Sequence, residues 1–167
     1  MAVLTEDMKR VVRDQGLAFV ATVCPDGTPN LSPKGLMSVW DDEHLIFADL
    51  ASPMTMANLA RNPVAALNVV DPVVRKGYRF KGHASVHSEG PVFDEAVRFF
   101  ERTRTPGRRA VPIRGVAIVA VEQVAALISP AYAGGASERE VIERSALRLE
   151  RIHGWNIARH DGPGRRD

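Results

Sequence analysis

The residue types and spacing best suited to binding an anion lie between Asp49 and Asn58. Ser52 and Thr55 stand at the predicted start of a helix, with Pro53 at its first helical position. The first amides of a helix have no partners inside it and carry partial positive charge, so they hold phosphate well, and hydroxyl groups add donors there. Serine is also an ordinary N-cap residue, so Ser52 could serve only to cap the helix.

A second polar stretch, Asn30-Leu31-Ser32-Pro33-Lys34-Gly35, lies within a predicted strand. Its proline and glycine weaken sheet pairing, which is typical of an edge strand, a bulge or a close approach by a ligand. Asn30, Ser32 and Lys34 share one face because strand side chains alternate. Lys34 could place a cation beside a phosphate, or beside a ring that gains negative charge on reduction. A solvated edge strand with a surface lysine is the alternative interpretation.

A third candidate surface is the polar face of the strand predicted over residues 77–88. Its members are Arg79, Lys81, His83, Ser85 and His87. This face is either solvated or the wall of a site in which Lys81 lies opposite the phosphate. The two histidines are four residues apart, about 13 Å on a strand, which is too far for one ion. We therefore predict no metal site.

Composition narrows the classes of function. The 167 residues suit one domain, and 45% hydrophobic with 25% charged residues excludes general disorder. A net charge of +2 is too small to indicate nucleic-acid binding. No apolar run approaches the roughly 20 residues of a membrane span, and the N-terminus lacks the apolar region of a signal peptide. The single cysteine, Cys24, fits a reducing compartment, so we expect a cytoplasmic protein without nucleic-acid or membrane partners.

Cap and turn signals predict the elements that position these residues. They are a helix over 5–15, a hairpin of strands 17–24 and 30–39, a strand over 44–49, a helix from Ser52 to Asn62, a strand over 64–70 buried on both faces, a strand over 77–88, an amphipathic helix over 91–104, a strand over 113–128, a helix over 137–153 and a loose tail over 154–167. Six strands in hairpin order predict a mainly β fold, a closed six-stranded antiparallel barrel with peripheral helices, in a single domain over 1–167.

Five motifs, in this order, carry a family resemblance. They are the first hairpin, Asn-Leu-Ser-Pro-Lys-Gly, Phe-Ala-Asp-Leu-Ala-Ser-x-x-Thr-x-x-Asn-Leu, Arg-Asn-Pro-Val-Ala-Ala-Leu and Tyr-Arg-Phe-Lys-Gly-His-Ala. Over about residues 5–128 the chain resembles the pyridoxamine 5'-phosphate oxidase-like, FMN-binding split-barrel family. It is more similar to the small bacterial FMN-binding proteins than to the oxidase itself.

The resemblance implies a six-stranded split barrel that forms a homodimer with FMN at the subunit interface. The cofactor-binding residues it implies are Ser52, Thr55 and Asn58 at the phosphate, Ser32, Pro33, Lys34 and Gly35 along the flavin ring, Asp49, Leu50 and Ala51 at the strand end, and Lys81 on a later strand. Relatives often carry a basic residue where this chain has Met54, so Lys34 or Lys81 must supply that charge. The C-terminal arginine segment of the true oxidase is not evident, so vitamin B6 chemistry is not expected.

The resemblance implies an FMN-dependent oxidoreductase of unassigned substrate, and no catalytic side chain is identified. The alternatives are a flavin-binding or storage protein without turnover, and the same fold holding a deazaflavin or haem. We expect the apolar face of the last strand, Val116, Ile118 and Ala120, to bury the dimer interface. The arginine-rich stretch from Arg102 to Arg114 either receives an anionic substrate across the dimer or is a solvated loop.

Overall fold

The computed structural model describes residues 3–103 and 111–154. Its elements are α1 (Glu6–Gln15), β1 (Ala18–Val23), β2 (Pro29–Lys34), β3 (Met37–Val39), β4 (His44–Asp49), α2 (Pro53–Arg61), β5 (Val64–Asp71), β6 (Lys76–His87), α3 (Pro91–Thr103), β7 (Gly115–Ile128), α4 (Pro130–Ala133) and α5 (Glu138–His153). They fall into two compact units, Met1–Val70 with Gly77–Ala126, and Asp71–Lys76 with Leu127–Asp167. The single-domain expectation stays a prediction.

The seven strands form one sheet in the order β2-β1-β5-β6-β7-β4-β3, and its two edge strands are neighbours in sequence. Seven strands laid flat would span about 29 Å, at about 4.8 Å per spacing. The link from Lys34 at the end of β2 to Met37 at the start of β3 reaches at most about 11 Å. The sheet therefore curls until its edges approach, which gives the predicted mainly β, antiparallel split barrel with peripheral helices.

The strand count is seven rather than six because the predicted strand over 30–39 is two strands. Residues of β2 pair with β1, whereas residues of β3 pair with β4 at the opposite edge. The change of partner occurs at Gly35 and Leu36, where the Leu36 carbonyl accepts a hydrogen bond from the Ala48 amide at 2.9 Å. Pro33 and Gly35 weaken regular pairing here, so the chain can leave one edge and join the other.

The main apolar core lies on the inner face of the curled sheet. Its large, fully buried members include Val20, Leu45, Phe47, Leu67 and Phe80. Burying a side chain of this size contributes about 1.5–3 kcal/mol, so the core stabilises the strands that carry the polar residues of interest.

A smaller core under α3 corrects one prediction about β7. Val116 is fully buried there with Ile46, Ala96 and Phe100. The predicted dimer interface on this face of β7 is therefore wrong for Val116, because α3 of the same chain covers it. The amphipathic pattern of α3 indicated a packing face, but it did not indicate which strand that face covers.

The outer face of the sheet holds a second correction. β5 was predicted to be buried on both faces, but Val64 and Val70 are 48% and 40% exposed. Phe19 and Leu31 on neighbouring strands are also exposed, at 49% and 66%. We call Phe19, Val23, Leu31, Val64 and Val70 the outer apolar face. An apolar run predicts that both faces of a strand are buried, but it does not specify whether the same chain or a second chain buries them.

The helix ends follow the predicted caps in α1 and α5. Thr5 and Met8 form a capping box in α1, which ends at Gly16 with a φ of 55°. Ser137 and Glu140 form the predicted capping box of α5. The short helix α4 was not predicted. No helix in the described ranges is long and apolar enough to cross a membrane.

Candidate functional site

The inner face of β2 and the first turn of α2 bring together four polar side chains that we call the Lys34 cluster: Ser32, Lys34, Ser52 and Thr55. The Lys34 ammonium donates to Ser32 Oγ at 2.6 Å and to Thr55 Oγ1 at 3.5 Å. Ser32 Oγ lies 3.5 Å from Ser52 Oγ. Asn30 joins the cluster through a 3.3 Å bond from its amide to Thr55 Oγ1. Residues 20 to 25 positions apart in sequence thus meet at one place.

Lys34 is the buried cation of this cluster, with only 3% of its surface exposed. Burial lowers the pKa of its ammonium, while Asp49 acts in the opposite direction. Within the described ranges no carboxylate lies within 4.0 Å of the ammonium, and its Nζ lies 5.8 Å from the centre of the Phe47 ring. Burying a charge that is bonded mainly to hydroxyl groups lowers the stability of the fold unless a counter-ion reaches the charge.

The start of α2 has spare hydrogen-bond donors. Ser52 caps with its backbone only, because its side chain makes no capping bond. The Ser52 amide donates to Asp49 Oδ1 at 2.6 Å, and the Met56 amide donates to the Ser52 carbonyl at 3.3 Å. Pro53 has no amide hydrogen, and the amides of Met54 and Thr55 have no protein acceptor among the described residues. Such amides, with the positive end of the helix dipole, suit a phosphate group.

Asn58 lies in the middle of α2 and contacts a different strand. Its side-chain amide donates to Thr22 Oγ1 at 3.1 Å and to Cys24 Sγ at 3.5 Å. Asn58 is 3% exposed and Thr22 is 3% exposed, so these bonds are internal. This arrangement fastens α2 to β1, and a contact between Asn58 and a cofactor stays a prediction.

The other predicted site residues surround the Lys34 cluster at varying depth. Asp49 is 7% exposed, Leu50 is half-buried, and Gly35 and Ala51 are exposed. Pro33 is exposed on the outer face, opposite Phe19. No heavy atom of the described residues lies within 4 Å of the position that a Cβ atom of Gly35 would take, so a ligand could approach its backbone closely.

Lys81 does not join the cluster within one chain. It is exposed on the outer face of β6, and in the described ranges it makes no hydrogen bond or ion pair with the cluster residues. The alternation of β6 is as predicted, with Phe80 and Ala84 buried on the other face. A role of Lys81 at a phosphate stays a prediction.

An open cleft of about 1140 Å³ adjoins the bend between β2 and β3. Gly35 and Leu36 line it from that bend, Trp40 and Leu50 from the positions just after β3 and β4, and Phe99 from α3. The Trp40 and Phe99 rings meet edge to face at 5.3 Å between centroids. The sequence does not predict this cleft, because it depends on the contact between Trp40 and Phe99, which lie far apart in sequence.

The histidines of β6 form pairs rather than a metal centre. His83 Nδ1 lies 2.6 Å from Glu122 Oε1, and His87 Nε2 lies 3.0 Å from Ser85 Oγ. In the described part of the chain there is no group of three or more side chains that could hold a metal ion. Arg104, Arg108 and Arg109 of the predicted arginine-rich loop, and the predicted tail beyond Gly154, lie outside the described residues.

Comparison with known proteins identifies the family of this chain. Residues 4–128 match the family model described as pyridoxamine 5'-phosphate oxidase. An uncharacterized protein of Methanocaldococcus jannaschii is 26% identical over 133 residues, which are 78% of this chain and 85% of that protein. The structure of HupZ from Group A Streptococcus is similar with a TM-score of 0.66 and 35% identity, covering 76% of this chain and 96% of HupZ.

Three further structures share the fold. A protein of Lactobacillus delbrueckii, described as a candidate pyridoxamine 5'-phosphate oxidase, has a TM-score of 0.62 and 25% identity over 75% of this chain and 95% of its own. An FMN-binding protein of Syntrophomonas wolfei has a TM-score of 0.59 and 16% identity, over 72% and 84% of the two chains. An F420 reductase has a TM-score of 0.57 and 21% identity, over 73% and 98%. These findings and the family match establish that the chain belongs to the pyridoxamine 5'-phosphate oxidase family of split-barrel proteins.

Proposed function

We propose that this protein binds FMN and uses it as an FMN-dependent oxidoreductase on a small molecule of unassigned identity. The observation that carries the proposal is the Lys34 cluster, in which a buried cation lies beside a helix start with spare amide donors. An anion with several oxygen atoms satisfies both features at once. The phosphate of FMN is such a group, and family membership makes a flavin the first candidate.

The donor set of the site fits a phosphate dianion. The amides of Met54 and Thr55 would donate to two of its oxygens, and the hydroxyls of Ser52 and Ser32 would add further donors. Lys34 would supply the charge that Met54 does not provide. Lys34 is a better candidate for this role than Lys81, because its ammonium lies within 3.5 Å of Thr55 Oγ1 whereas Lys81 faces outward.

The flavin ring would then extend along Ser32–Gly35 towards Leu50 and the cleft beside it. The exposed backbone at Gly35 allows a flat ring to approach closely, and the apolar cleft wall of Leu36 and Trp40 offers it packing. When bound, FMN supplies the hydride or electron transfer chemistry. The chain contributes binding, orientation and the positive charge of Lys34 near the ring or phosphate.

A deazaflavin is the second candidate cofactor, and a protein named F420 reductase shares the fold. A haem ligand and a flavin-storage role without turnover are the further alternatives. The absorption spectrum of freshly purified protein separates FMN, deazaflavin and haem. Steady oxidation of NADH or NADPH by the holoprotein, well above that of free FMN, would exclude the storage role.

A homodimer with FMN at the subunit interface is part of the proposal, and the outer apolar face is the surface that we assign to it. Pro33, on the strand proposed to run along the ring, lies on the same outward side of β2 as Leu31. A second copy placed here would cover the exposed apolar side chains and complete the wall of the flavin site.

Light scattering at micromolar concentration tests the interface. Wild-type protein should have twice the 18.3 kDa mass of one chain, and Leu31→Arg should be monomeric because it places a charge on the outer apolar face. Val92→Arg, a matched change at an exposed residue of α3, should stay dimeric. A monomeric wild type, or a dimeric Leu31→Arg variant, would refute this interface.

Cofactor binding is tested directly by adding FMN to protein freed of any bound pigment. Binding should quench flavin fluorescence and raise the melting temperature, since a ligand that binds only the folded state stabilises it. Absence of both effects would exclude FMN as the cofactor. An anaerobic titration of the holoprotein with NADPH then tests whether the bound flavin accepts electrons.

A further inference from the structure

The unit formed by Asp71–Lys76 and the C-terminal helices contains a cavity of about 490 Å³ that is separate from the Lys34 cluster. Arg75, Arg144 and Arg148, all of them exposed, line it, and none of the described carboxylates does. Its lining also includes the apolar residues Val141 and Leu149. Three cations beside apolar side chains form a chemically distinct surface, and the volume is within the size range of ordinary ligand pockets.

Helix α5 presents two of these cations from one face. Arg144 and Arg148 are four residues apart, so their side chains are neighbours along the helix, with Cβ atoms about 5–6 Å apart. Val141 and Leu149 lie on the same face by the same spacing. Like charges at this spacing destabilise a helix, so an anion bound between the two arginines would relieve a local repulsion.

The third cation, Arg75, occupies a strained backbone position. Its φ is 59°, and it is the one residue other than glycine with a positive φ in the described part of the chain. The tight turn between β5 and β6 forces this conformation: the Arg75 amide donates to the Asp71 carbonyl at 2.7 Å, and the Arg75 carbonyl accepts from the Ser129 amide at 3.1 Å. Glycine suits such a position better. Strain kept in a folded protein is often associated with a functional site.

Three acidic residues of the same unit, none of which lines the cavity, have bonding partners elsewhere. Glu138 pairs with Lys76 at 2.7 Å, and Glu143 pairs with Arg139 at 2.8 Å. Glu140, four residues before Arg144, is held in the capping box by Ser137, and these bonds are the main reason that its pKa is lowered, with Arg144 a lesser cause. Within the described ranges, none of the three cavity arginines has a carboxylate within 4.0 Å.

We propose that this cavity binds a small organic anion carrying at least two negative charges. The planar guanidinium groups would each make paired hydrogen bonds to phosphate or carboxylate oxygens. The apolar lining residues would contact the carbon part of the ligand. This site is independent of the flavin proposal, since it shares no residue with the Lys34 cluster.

Calorimetric titration with pyrophosphate at constant ionic strength tests the proposal, with protein saturated with FMN so that the Lys34 cluster is occupied. If FMN does not bind, the Lys34→Met variant serves as the starting protein instead. The double variant Arg144→Gln with Arg148→Gln should bind pyrophosphate at least tenfold more weakly. Arg139→Gln with Arg151→Gln removes the same charge from α5 outside the cavity and should weaken binding less than twofold. No binding by the starting protein, or equal weakening in both double variants, would overturn the proposal.

The variant Arg75→Gly gives a second test, which distinguishes a binding role of Arg75 from a merely structural one. Relief of the strained backbone should raise the melting temperature, while loss of one guanidinium should weaken pyrophosphate binding several-fold. Unchanged affinity together with a higher melting temperature would show that Arg75 does not contact the anion. Circular dichroism on every variant confirms that α5 is retained.

Discussion

Helices α2 and α5 both have serine as the N-cap residue, but the serine side chain is bonded differently in the two helices. In α5, Ser137 accepts from the Glu140 amide and the Glu140 carboxylate accepts from the Ser137 amide, so the capping box is closed. In α2 the residue three positions after Ser52 is Thr55, whose hydroxyl faces Lys34 and Asn30. The side chain of Ser52 makes no capping bond.

The residue three positions after the N-cap serine decides whether the first amides of the helix are bonded within the chain or available to a ligand. A glutamate at the third position satisfies the serine and brings negative charge to the positive end of the helix, as in α5. With Thr55 in that place, the amides of Met54 and Thr55 stay available. Two charges lie nearby, the Asp49 carboxylate that accepts from the Ser52 amide and the cation of Lys34. The first arrangement stabilises a helix, and the second suits an external anion.

The largest expected effect comes from Lys34→Met, which removes the cation and keeps the side-chain length. Loss of a hydrogen bond to a charged group, about 1.5–3 kcal/mol, should weaken FMN binding by about tenfold to 150-fold. Without FMN the variant should be more stable than wild type to urea, because an unpaired buried charge is removed. Arg61→Met, at the exposed end of the same helix, controls for net charge and should change neither quantity appreciably. Unchanged FMN affinity in Lys34→Met would show that Lys34 does not contact the phosphate.

A smaller effect separates the two helix starts directly. Ser137→Ala should cost about 1 kcal/mol of stability by opening a capping box, with FMN affinity unchanged. Ser52→Ala should change stability by less than about 0.5 kcal/mol, yet weaken FMN binding about two- to tenfold through loss of one neutral donor. Urea unfolding and fluorescence titration of both variants give the four values. A large stability loss in Ser52→Ala would mean that its hydroxyl caps α2 after all.

The smallest expected effect is a pH dependence. Burial lowers the pKa of Lys34 in the folded protein, so between that value and its ordinary pKa of about 10.4 the unfolded chain binds more protons. The unfolding free energy of the protein without FMN should therefore gain a contribution that rises with pH in this window. Comparing wild type with Lys34→Met from about pH 8 to about pH 10 isolates that contribution from other groups. An identical pH slope in the two proteins would argue against a lowered pKa.

Local signals in the sequence predicted much of the fold and part of the site. The Thr5 and Ser137 caps, the first hairpin and the helix starting at Pro53 depend on neighbouring residues, and they occur as predicted. Alternation placed Ser32 and Lys34 on one face of a strand. It did not decide between a solvated lysine and a buried one, because that depends on where α2 packs.

Features that depend on distant contacts were not predictable in this way. The division of the strand over 30–39 requires knowledge of which edge each half joins. The burial of Val116 depends on α3, and the bonds of Asn58 depend on β1. The cavity beside Arg75 needs a turn between two strands to meet a helix about 70 residues later in sequence, and no local pattern indicates that contact.

The central claim is that the start of α2 and Lys34 bind a phosphate group, and a comparison of FMN with riboflavin tests it most directly. The two ligands share the ring, and only FMN carries the phosphate. Fluorescence titrations should give at least about a hundredfold tighter binding of FMN, equivalent to about 2.7 kcal/mol, since several charge-assisted hydrogen bonds depend on the phosphate. Equal affinities for the two ligands would contradict the claim.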